Sequence, residues 1–149
     1  LHYPLRRQRQ MCIRDSNTTV RSGIELVLDL AHGREACAWA DVIITGEGSI
    51  DSQTPYGKVP SGIAKLAQSQ GKPTIAIGGT VTRDPHTIEA LSETGIVATF
   101  GIAPGPADLA TLIANTERNV EITCAAIAGT LRVTSATAVP AATSPCESA

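Results

Sequence analysis

The sequence predicts one α/β domain, in which a short parallel sheet of about three strands is flanked by helices. Three apolar runs rich in β-branched residues, at 42–45, 74–77 and 96–100, lack the polar alternation of half-exposed strands. Segments with helical spacing of apolar residues separate these runs. An alternation of strands and helices favours parallel pairing with right-handed crossovers, and 149 residues are enough for one domain.

Both ends of the chain are predicted to lie outside this domain. Residues 1–20 begin with an arginine-rich stretch that has no amphipathic period, and we interpret them as a non-native or disordered leader. Residues 133–149 are mostly Ala, Thr, Ser and Pro, which offer too little apolar surface to offset the entropy of ordering. The folded domain is therefore expected at residues 21–132.

A helix and a strand are predicted first. Ser22 is a suitable N-cap for a helix with apolar residues at helical spacing, and Gly33 is expected to end this helix. The first buried strand follows at residues 42–45, and the tryptophan before it, Trp39, is expected to pack beside that strand.

The remaining elements follow the same order. Pro60 begins a helix that Gly71 ends, because proline fits the first helical turn and glycine the position after the last one. The second strand is predicted at 74–77, a short helix at 85–93 and the third strand at 96–100. Two further helices are marked by apolar residues at 109–113 and at 120–131, the second capped by Thr116.

Residues 46–58, directly after the first strand, contain the candidate site. In open α/β sheets, ligands bind at the carboxyl ends of the strands, and a simple connection would need only about 2–6 residues. Gly78 and Gly79, after the second strand, either line the same crevice or form a plain turn. The candidate residues of the first loop are Gly46, Glu47, Gly48, Asp51, Gln53, Thr54, Gly57 and Lys58.

Two common phosphate-binding loops do not match this segment. A Walker A loop requires glycine and a hydroxyl residue at the positions of Ser52 and Val59. A dinucleotide fingerprint beginning at Gly46 and Gly48 requires a third glycine at Asp51, where a carboxylate would repel a pyrophosphate unless a metal lay between them.

The complete sequence of the loop and its flanking residues is more informative than these two partial motifs. Residues 41–58 read D-V-I-I-T-G-E-G-S-I-D-S-Q-T-P-Y-G-K, and Pro60, Gly62, Ile63 and Ala64 follow. This string resembles the segment D-L-V-I-T-G-E-G-x-x-D-x-Q-T-x-x-G-K-x-P-x-G-V-A of the bacterial glycerate kinase family (type 1, glycerate 2-kinase). The differences are conservative aliphatic exchanges, and Ser49 stands where the family often has a basic residue. The resemblance runs from about Ser22 to Leu131.

The resemblance implies ATP-dependent phosphorylation of D-glycerate to 2-phosphoglycerate with Mg²⁺. It also implies that the chain is the C-terminal part of a larger Rossmann-like kinase, inactive without the missing N-terminal part. Asp51 or Glu47 would then orient or deprotonate the attacking hydroxyl or hold the metal, and Lys58 would neutralise a phosphate or the glycerate carboxylate. Gln53 and Thr54 would bind substrate hydroxyls, and the glycines would permit close backbone approach.

Two alternatives remain open at this stage. The chain is also compatible with a non-catalytic α/β module that binds a small phosphorylated or carboxylated metabolite. That module would hold the metabolite with the loop after Thr45. The second alternative is a purely structural role, in which Glu47 or Asp51 caps a turn or pairs with Lys58 and the glycines only supply positive φ.

Composition limits the classes of partner. The net charge of −2 gives no reason to expect nucleic acid, and no apolar run reaches the roughly 18 residues of a membrane span. The four cysteines show neither metal nor disulfide spacing, which fits free thiols in a reducing cytoplasm.

Overall fold

The computed structural model describes residues 22–136. The expected leader at 1–20 and the part of the expected tail after 136 lie outside the described residues. The strands are β1 (Ile43–Ile50), β2 (Thr74–Val81) and β3 (Ile96–Gly101). The helices are α1 (Gly23–Leu30), α2 (Gly33–Trp39), α3 (Val59–Gln68), α4 (Pro85–Glu93), α5 (Leu109–Ala114) and α6 (Thr116–Ala136). Within residues 22–136, no helix combines the length and apolar character that a membrane crossing requires.

The three strands form one parallel sheet in the order β1-β2-β3. In the middle of the sheet Ile44 pairs with Ile75, which pairs with Ala98. The register between β2 and β3 shifts by one residue at the start, because Thr74 pairs with Ile96 and Ile75 with Ala98. This arrangement confirms the predicted α/β class and its short parallel sheet.

The core lies between the sheet and helices α3 and α4. Its buried side chains are Ile50, Ala64, Ala76, Leu91 and Ile96. Helix α3 turns a face of small residues toward the sheet, since Ala64 and Ala67 are fully buried. Small side chains allow the helix to lie close to the strands, so α3 holds the end of the preceding loop at a fixed place beside β1.

Strands β1 and β2 continue through the glycines that were expected to end them. Strand β1 runs to Ile50 and β2 to Val81, and none of the glycines in these strands has a positive φ. A Cβ on Gly46 would lie 2.8 Å from the Ile77 carbonyl oxygen, and a Cβ on Gly79 would lie 2.7 Å from the Gly48 carbonyl oxygen. Glycine is needed here for close approach of the two strands, so the prediction that the strands stop at these glycines is wrong.

The N-terminal helices depart from the prediction in two places. Gly33 begins α2 instead of ending α1, because the left-handed residue between the two helices is His32, with φ of 52°. Gly33 itself packs closely on α1, where an added Cβ would lie 2.8 Å from the Leu28 side chain. Trp39 ends α2 with 89% of its surface exposed, so the prediction that it packs beside β1 is wrong. At the other end, α6 continues to Ala136, past the predicted boundary at 132.

Asp84 and Asp108 cap the helices α4 and α5 in the same way. Asp84 Oδ2 accepts hydrogen bonds from the Thr87 backbone N–H at 2.9 Å and the Thr87 hydroxyl at 2.7 Å. These bonds favour the ionised carboxylate, so the Thr87 hydroxyl and then its N–H lower the pKa of Asp84. Thr111 lowers the pKa of Asp108 through its N–H and hydroxyl.

We expect these caps to make the fold acid-sensitive. Because each folded-state pKa lies below the ordinary value of about 3.9, the stabilisation is present above that value and is lost as the pH falls through the folded pKa. Thermal melts should show little change from pH 7 to pH 5 and a falling midpoint below about pH 4. Asp84→Asn keeps an acceptor for the cap and should reduce this fall, whereas the same exchange at the exposed Asp41 should not. Equal slopes in both variants would contradict the assignment.

Candidate active site

The loop after β1 folds back so that four predicted side chains meet. Lys58 Nζ lies 3.1 Å from Asp51 Oδ1 and 3.3 Å from Asp51 Oδ2, and 3.7 Å from Glu47 Oε1. The Thr54 hydroxyl donates to Glu47 Oε1 at 2.6 Å. Glu47, Asp51, Thr54 and Lys58 are called the carboxylate–lysine cluster below. The convergence of Glu47, Asp51 and Lys58 that the sequence predicts is therefore present in the fold.

Hydrogen bonds within the loop fix this arrangement. Asp51 Oδ1 accepts from the Gln53 N–H at 2.9 Å, an Asx turn that the residue types favour. The Asp51 N–H donates to the Thr54 hydroxyl at 3.0 Å, and that hydroxyl donates in turn to Glu47. Thr54 is fully buried. Its hydroxyl thus links the Asp51 backbone to the Glu47 carboxylate, and the chain then turns at Gly57, with φ of 99°, to reach Lys58.

The electrostatics of the cluster favour the ionised Asp51 carboxylate. The Gln53 backbone N–H, followed by the Lys58 ammonium, lowers the pKa of Asp51. Two carboxylates face one ammonium, so the formal charge of the cluster is −1. The side chains of Lys58, Glu47 and Asp51 are 31%, 20% and 40% exposed. A dissolved ligand can therefore reach them.

Two carboxylates fit a magnesium ion that arrives with a phosphate. Among the described residues, no three His, Cys, Asp or Glu side chains converge in a way that would form a complete metal cage. Mg²⁺ in phosphate-transferring sites usually has one or two protein carboxylates, and its other ligands are phosphate oxygens and waters. Glu47 and Asp51 supply that number, and the charge of −1 accommodates a further cation.

An apolar cleft of about 490 Å³ lies beside the cluster. Its floor consists of the glycines at the carboxyl ends of β1 and β2, and its walls include aliphatic side chains from the segment between β3 and α6. Glu47 lines this cleft as well as belonging to the cluster, so the two regions are contiguous. The glycines of the floor are Gly46, Gly48, Gly78 and Gly79.

The predicted residues thus fall into two neighbouring groups. The cluster brings Glu47, Asp51, Thr54 and Lys58 together, and the glycines of both strands line the cleft. Gln53 is exposed and takes part in the cluster through its backbone N–H. Gly57 lies beside Lys58 in a second groove, bounded by α1, and does not line the cleft.

Sequence reasoning did not select Asn119, which lines the cleft and is 8% exposed. Its position in α6 carried a signal, because Asn119 stands eight residues before Ile127, which is 2% exposed. Residues four apart lie on one face of a helix, so Asn119 and Ile127 lie on the same face. A polar residue on the face that carries a buried isoleucine is expected to point inward.

Comparison with known proteins decides the family. A sequence profile of the glycerate kinase family matches residues 13–132. The chain belongs to the glycerate kinase family. The matched region begins within the segment that was expected to be a leader.

Two relatives give the extent of the similarity to glycerate kinases. The glycerate kinase of Bacillus cereus (strain ATCC 10987) is 42% identical over 117 residues, which are 78% of this chain and 30% of the relative. The glycerate 2-kinase of Escherichia coli K12 is 40% identical over 83 residues, or 56% of this chain and 21% of the relative. The chain therefore spans less than a third of the length of these glycerate kinases.

The fold of this glycerate kinase family member also matches a solved structure. The crystal structure of a candidate glycerate kinase 2 from Salmonella typhimurium LT2 superposes with a TM-score of 0.58 at 37% sequence identity. The match covers 79% of this chain and 29% of that protein. The predicted family and the α/β fold are confirmed.

Proposed function

We propose that this chain forms part of an ATP-dependent glycerate kinase that phosphorylates D-glycerate to 2-phosphoglycerate. The observation that carries the proposal is the meeting of Glu47, Asp51 and Lys58 at the carboxyl end of β1 in a member of this family. The position of the phosphorylated hydroxyl follows the name of the Escherichia coli relative, a glycerate 2-kinase.

The cluster has the groups that phosphoryl transfer needs. The reaction depends on positioning, on neutralising charge at the phosphates and on orienting the attacking hydroxyl. Lys58 is assigned the neutralisation of a phosphate oxygen or of the glycerate carboxylate, since it is partly exposed and its present partners can be exchanged. The exposed side chain of Gln53 is assigned to a substrate hydroxyl.

Asp51 is better suited to orientation than to proton transfer. A general base works best when its pKa lies near the working pH, whereas the turn and Lys58 lower the pKa of Asp51. Asp51 is therefore assigned to orient the hydroxyl or to hold magnesium. Glu47 is the alternative for either task and for accepting the proton.

Thr54 is assigned a positioning role instead of the substrate contact expected from the sequence. It has no accessible surface, and its hydroxyl already accepts from the Asp51 N–H and donates to Glu47. The hydroxyl sets the orientation of the Glu47 carboxylate toward the cleft and the cluster.

Glu47 and Asp51 are the residues that would hold magnesium in this proposal. The ion, when bound with the nucleotide, neutralises charge that develops on the transferred phosphoryl group. The protein contributes the two carboxylates, with Glu47 oriented by Thr54 and Asp51 by the Gln53 N–H.

In this proposal, the rest of the catalytic domain belongs to a part of the enzyme that this chain does not include. The Bacillus cereus relative is matched over only 30% of its length, and both the cleft and the cluster are open to solvent on one side. We infer that a further, N-terminal part of the enzyme completes the site and that the chain alone turns over little. A cytoplasmic location belongs to the proposal, because ATP and free thiols are maintained there.

A coupled assay with D-glycerate and Mg-ATP tests the function. It should compare the 149-residue chain with a fusion in which residues 22–132 replace the matching segment of the Bacillus cereus relative. Formation of 2-phosphoglycerate by the fusion, with little or none by the chain alone, is the expected result. Binding of a metabolite by both forms without phosphoryl transfer would favour the non-catalytic module instead.

A further inference from the structure

Asn119 places a polar group in an apolar part of the cleft. The residue lies in the first turn of α6, is 8% exposed and lines the cleft together with Leu112 and Val120. Within residues 22–136, no side chain or backbone group forms a hydrogen bond with its carboxamide. Among these residues the fully buried side-chain atom without a partner is Thr74 Oγ1 and not an atom of this amide, so the carboxamide keeps contact with solvent through the cleft and is available to a ligand there.

The chemistry of the amide indicates the class of ligand. A carboxamide presents a donor and an acceptor side by side, and asparagine pairs with adenine through two parallel hydrogen bonds to the base edge. The aliphatic walls formed by Ile77, Ile102 and Leu112 suit the faces of a flat heterocycle. They do not suit D-glycerate, because its carboxylate and hydroxyls would lose water without gaining partners.

The cleft also leads toward the cluster. Its volume of about 490 Å³ lies in the usual range for small-molecule sites, about 300–1,000 Å³. The glycine floor has no side chains, and the Cβ direction of Gly48 has no atom within 4 Å. Glu47 lies at the boundary between cleft and cluster. Phosphates attached to a molecule in the cleft can thus run along the floor toward Glu47 and Lys58.

We propose that the cleft binds the nucleobase of the phosphoryl donor and that Asn119 selects adenine by hydrogen bonds to its edge. The inference rests on the proposed function, since it assigns the donor of that reaction to the cleft and leaves the cluster for phosphate and glycerate. Asn119 is a specificity-determining residue in this arrangement and takes no part in the transfer itself.

Calorimetric titration of the intact 149-residue chain tests the proposal. The probes are ADP, GDP, adenosine and D-glycerate, and the variants are Asn119→Leu and Asn119→Asp. The wild-type chain should bind ADP more tightly than GDP. Asn119→Leu should weaken the binding of ADP and of adenosine to the same extent, by about 10- to 100-fold, which is the discrimination that a bidentate hydrogen-bonded pair supplies. Asn119→Asp, whose carboxylate only accepts, should abolish the preference for ADP over GDP.

Thermal unfolding separates this role from a structural one. Leucine has the same number and branching of side-chain heavy atoms as asparagine and replaces a polar group by an apolar one in a cleft with aliphatic walls, so Asn119→Leu should melt at the wild-type temperature or above it. A structural amide would give a lower melting temperature. Asn115→Ala is the matched control, because Asn115 is exposed, bonds to the Thr111 carbonyl and does not line the cleft. It should leave ADP affinity unchanged.

The proposal and the proposed function fail in different ways. Unchanged ADP affinity in Asn119→Leu, or a folded wild-type chain that binds neither ADP nor adenosine, would overturn the assignment of the cleft. Competition between D-glycerate and adenosine would also overturn the assignment, since it would show that D-glycerate binds in the cleft. Asn119-dependent ADP binding would still support the cleft if the fusion transferred no phosphate to glycerate, and only the reaction would then be wrong.

Discussion

Asp51→Asn is expected to lower kcat for phosphoryl transfer by about 10²–10³-fold, the usual cost of removing one preorganised charged or hydrogen-bonding group from a site. Asparagine has the same shape as aspartate but lacks the charge. The variant therefore loses the carboxylate that faces Lys58 at 3.1 Å, and with it the group proposed to orient the hydroxyl or hold magnesium.

The fold should survive this exchange. An asparagine oxygen can still accept from the Gln53 N–H, which forms the turn at 2.9 Å in the wild type, because asparagine and aspartate both favour this turn. Lys58 keeps a second carboxylate, that of Glu47, at 3.7 Å. A loss of turnover in a folded variant would thus report the missing charge.

The measurement is steady-state kinetics of the fusion enzyme with D-glycerate and Mg-ATP. Asp41→Asn is the control, since Asp41 is an exposed residue two positions before β1, outside the cluster. Because the pKa of Asp51 is lowered, its ionisation should cause no break in the rate between pH 5 and pH 8. Near-normal turnover of Asp51→Asn would remove this residue from the mechanism.

The sequence predicted the parts of the site that are local. Glu47, Asp51 and Lys58 lie within twelve residues of one another, and the turn-forming aspartate and the proline at the start of α3 restrict the loop between them. Such a short loop leaves few ways to separate these side chains. Their meeting could therefore be inferred, whereas the individual hydrogen bonds could not.

The parts that escaped prediction depend on contacts between distant segments. The glycines of β1 and β2 were predicted to end the strands because glycine is common in turns. Only the close approach of Gly46 to the Ile77 carbonyl oxygen and of Gly79 to the Gly48 carbonyl oxygen shows why a side chain is excluded at those two positions. Asn119 is 72 residues away from Glu47 in sequence, and both line one cleft. The inward orientation of Thr54 likewise follows from tertiary packing, since threonine in a loop is usually exposed.

Trp39 was predicted to be buried and is exposed, for the same reason: its burial depends on contacts between distant segments. A tryptophan next to a buried strand is ordinarily expected to pack against it, yet 89% of its surface is exposed here. Exposed apolar residues of α1, among them Val27 and Leu30, lie in the same N-terminal part of the chain. The hydrophobic pattern predicts that apolar residues such as Trp39, Val27 and Leu30 are buried. It does not show which surface would cover them.

Gly79→Ala is expected to destabilise the fold by about 1–3 kcal/mol, the usual cost of forcing an extra methyl group into a packed site. The new Cβ would lie 2.7 Å from the Gly48 carbonyl oxygen, which belongs to the backbone of β1. A backbone oxygen in a paired strand cannot rotate away as a side chain can. Relief therefore requires β1 and β2 to separate where both carry the floor of the cleft, and the melting temperature should fall by several degrees.

Gly48→Ala is the matched control, because it makes the same exchange in the adjacent strand. No atom lies within 4 Å of the position of its Cβ, and its φ is not positive. Alanine at this position should leave the melting temperature unchanged or raise it slightly, since it reduces the freedom of the unfolded chain. Circular dichroism melts of the 149-residue chain measure both variants without any need for turnover. Equal melting temperatures for the two variants would show that close approach of β1 and β2 is not what requires Gly79, and the floor of the cleft would then owe its shape to another contact.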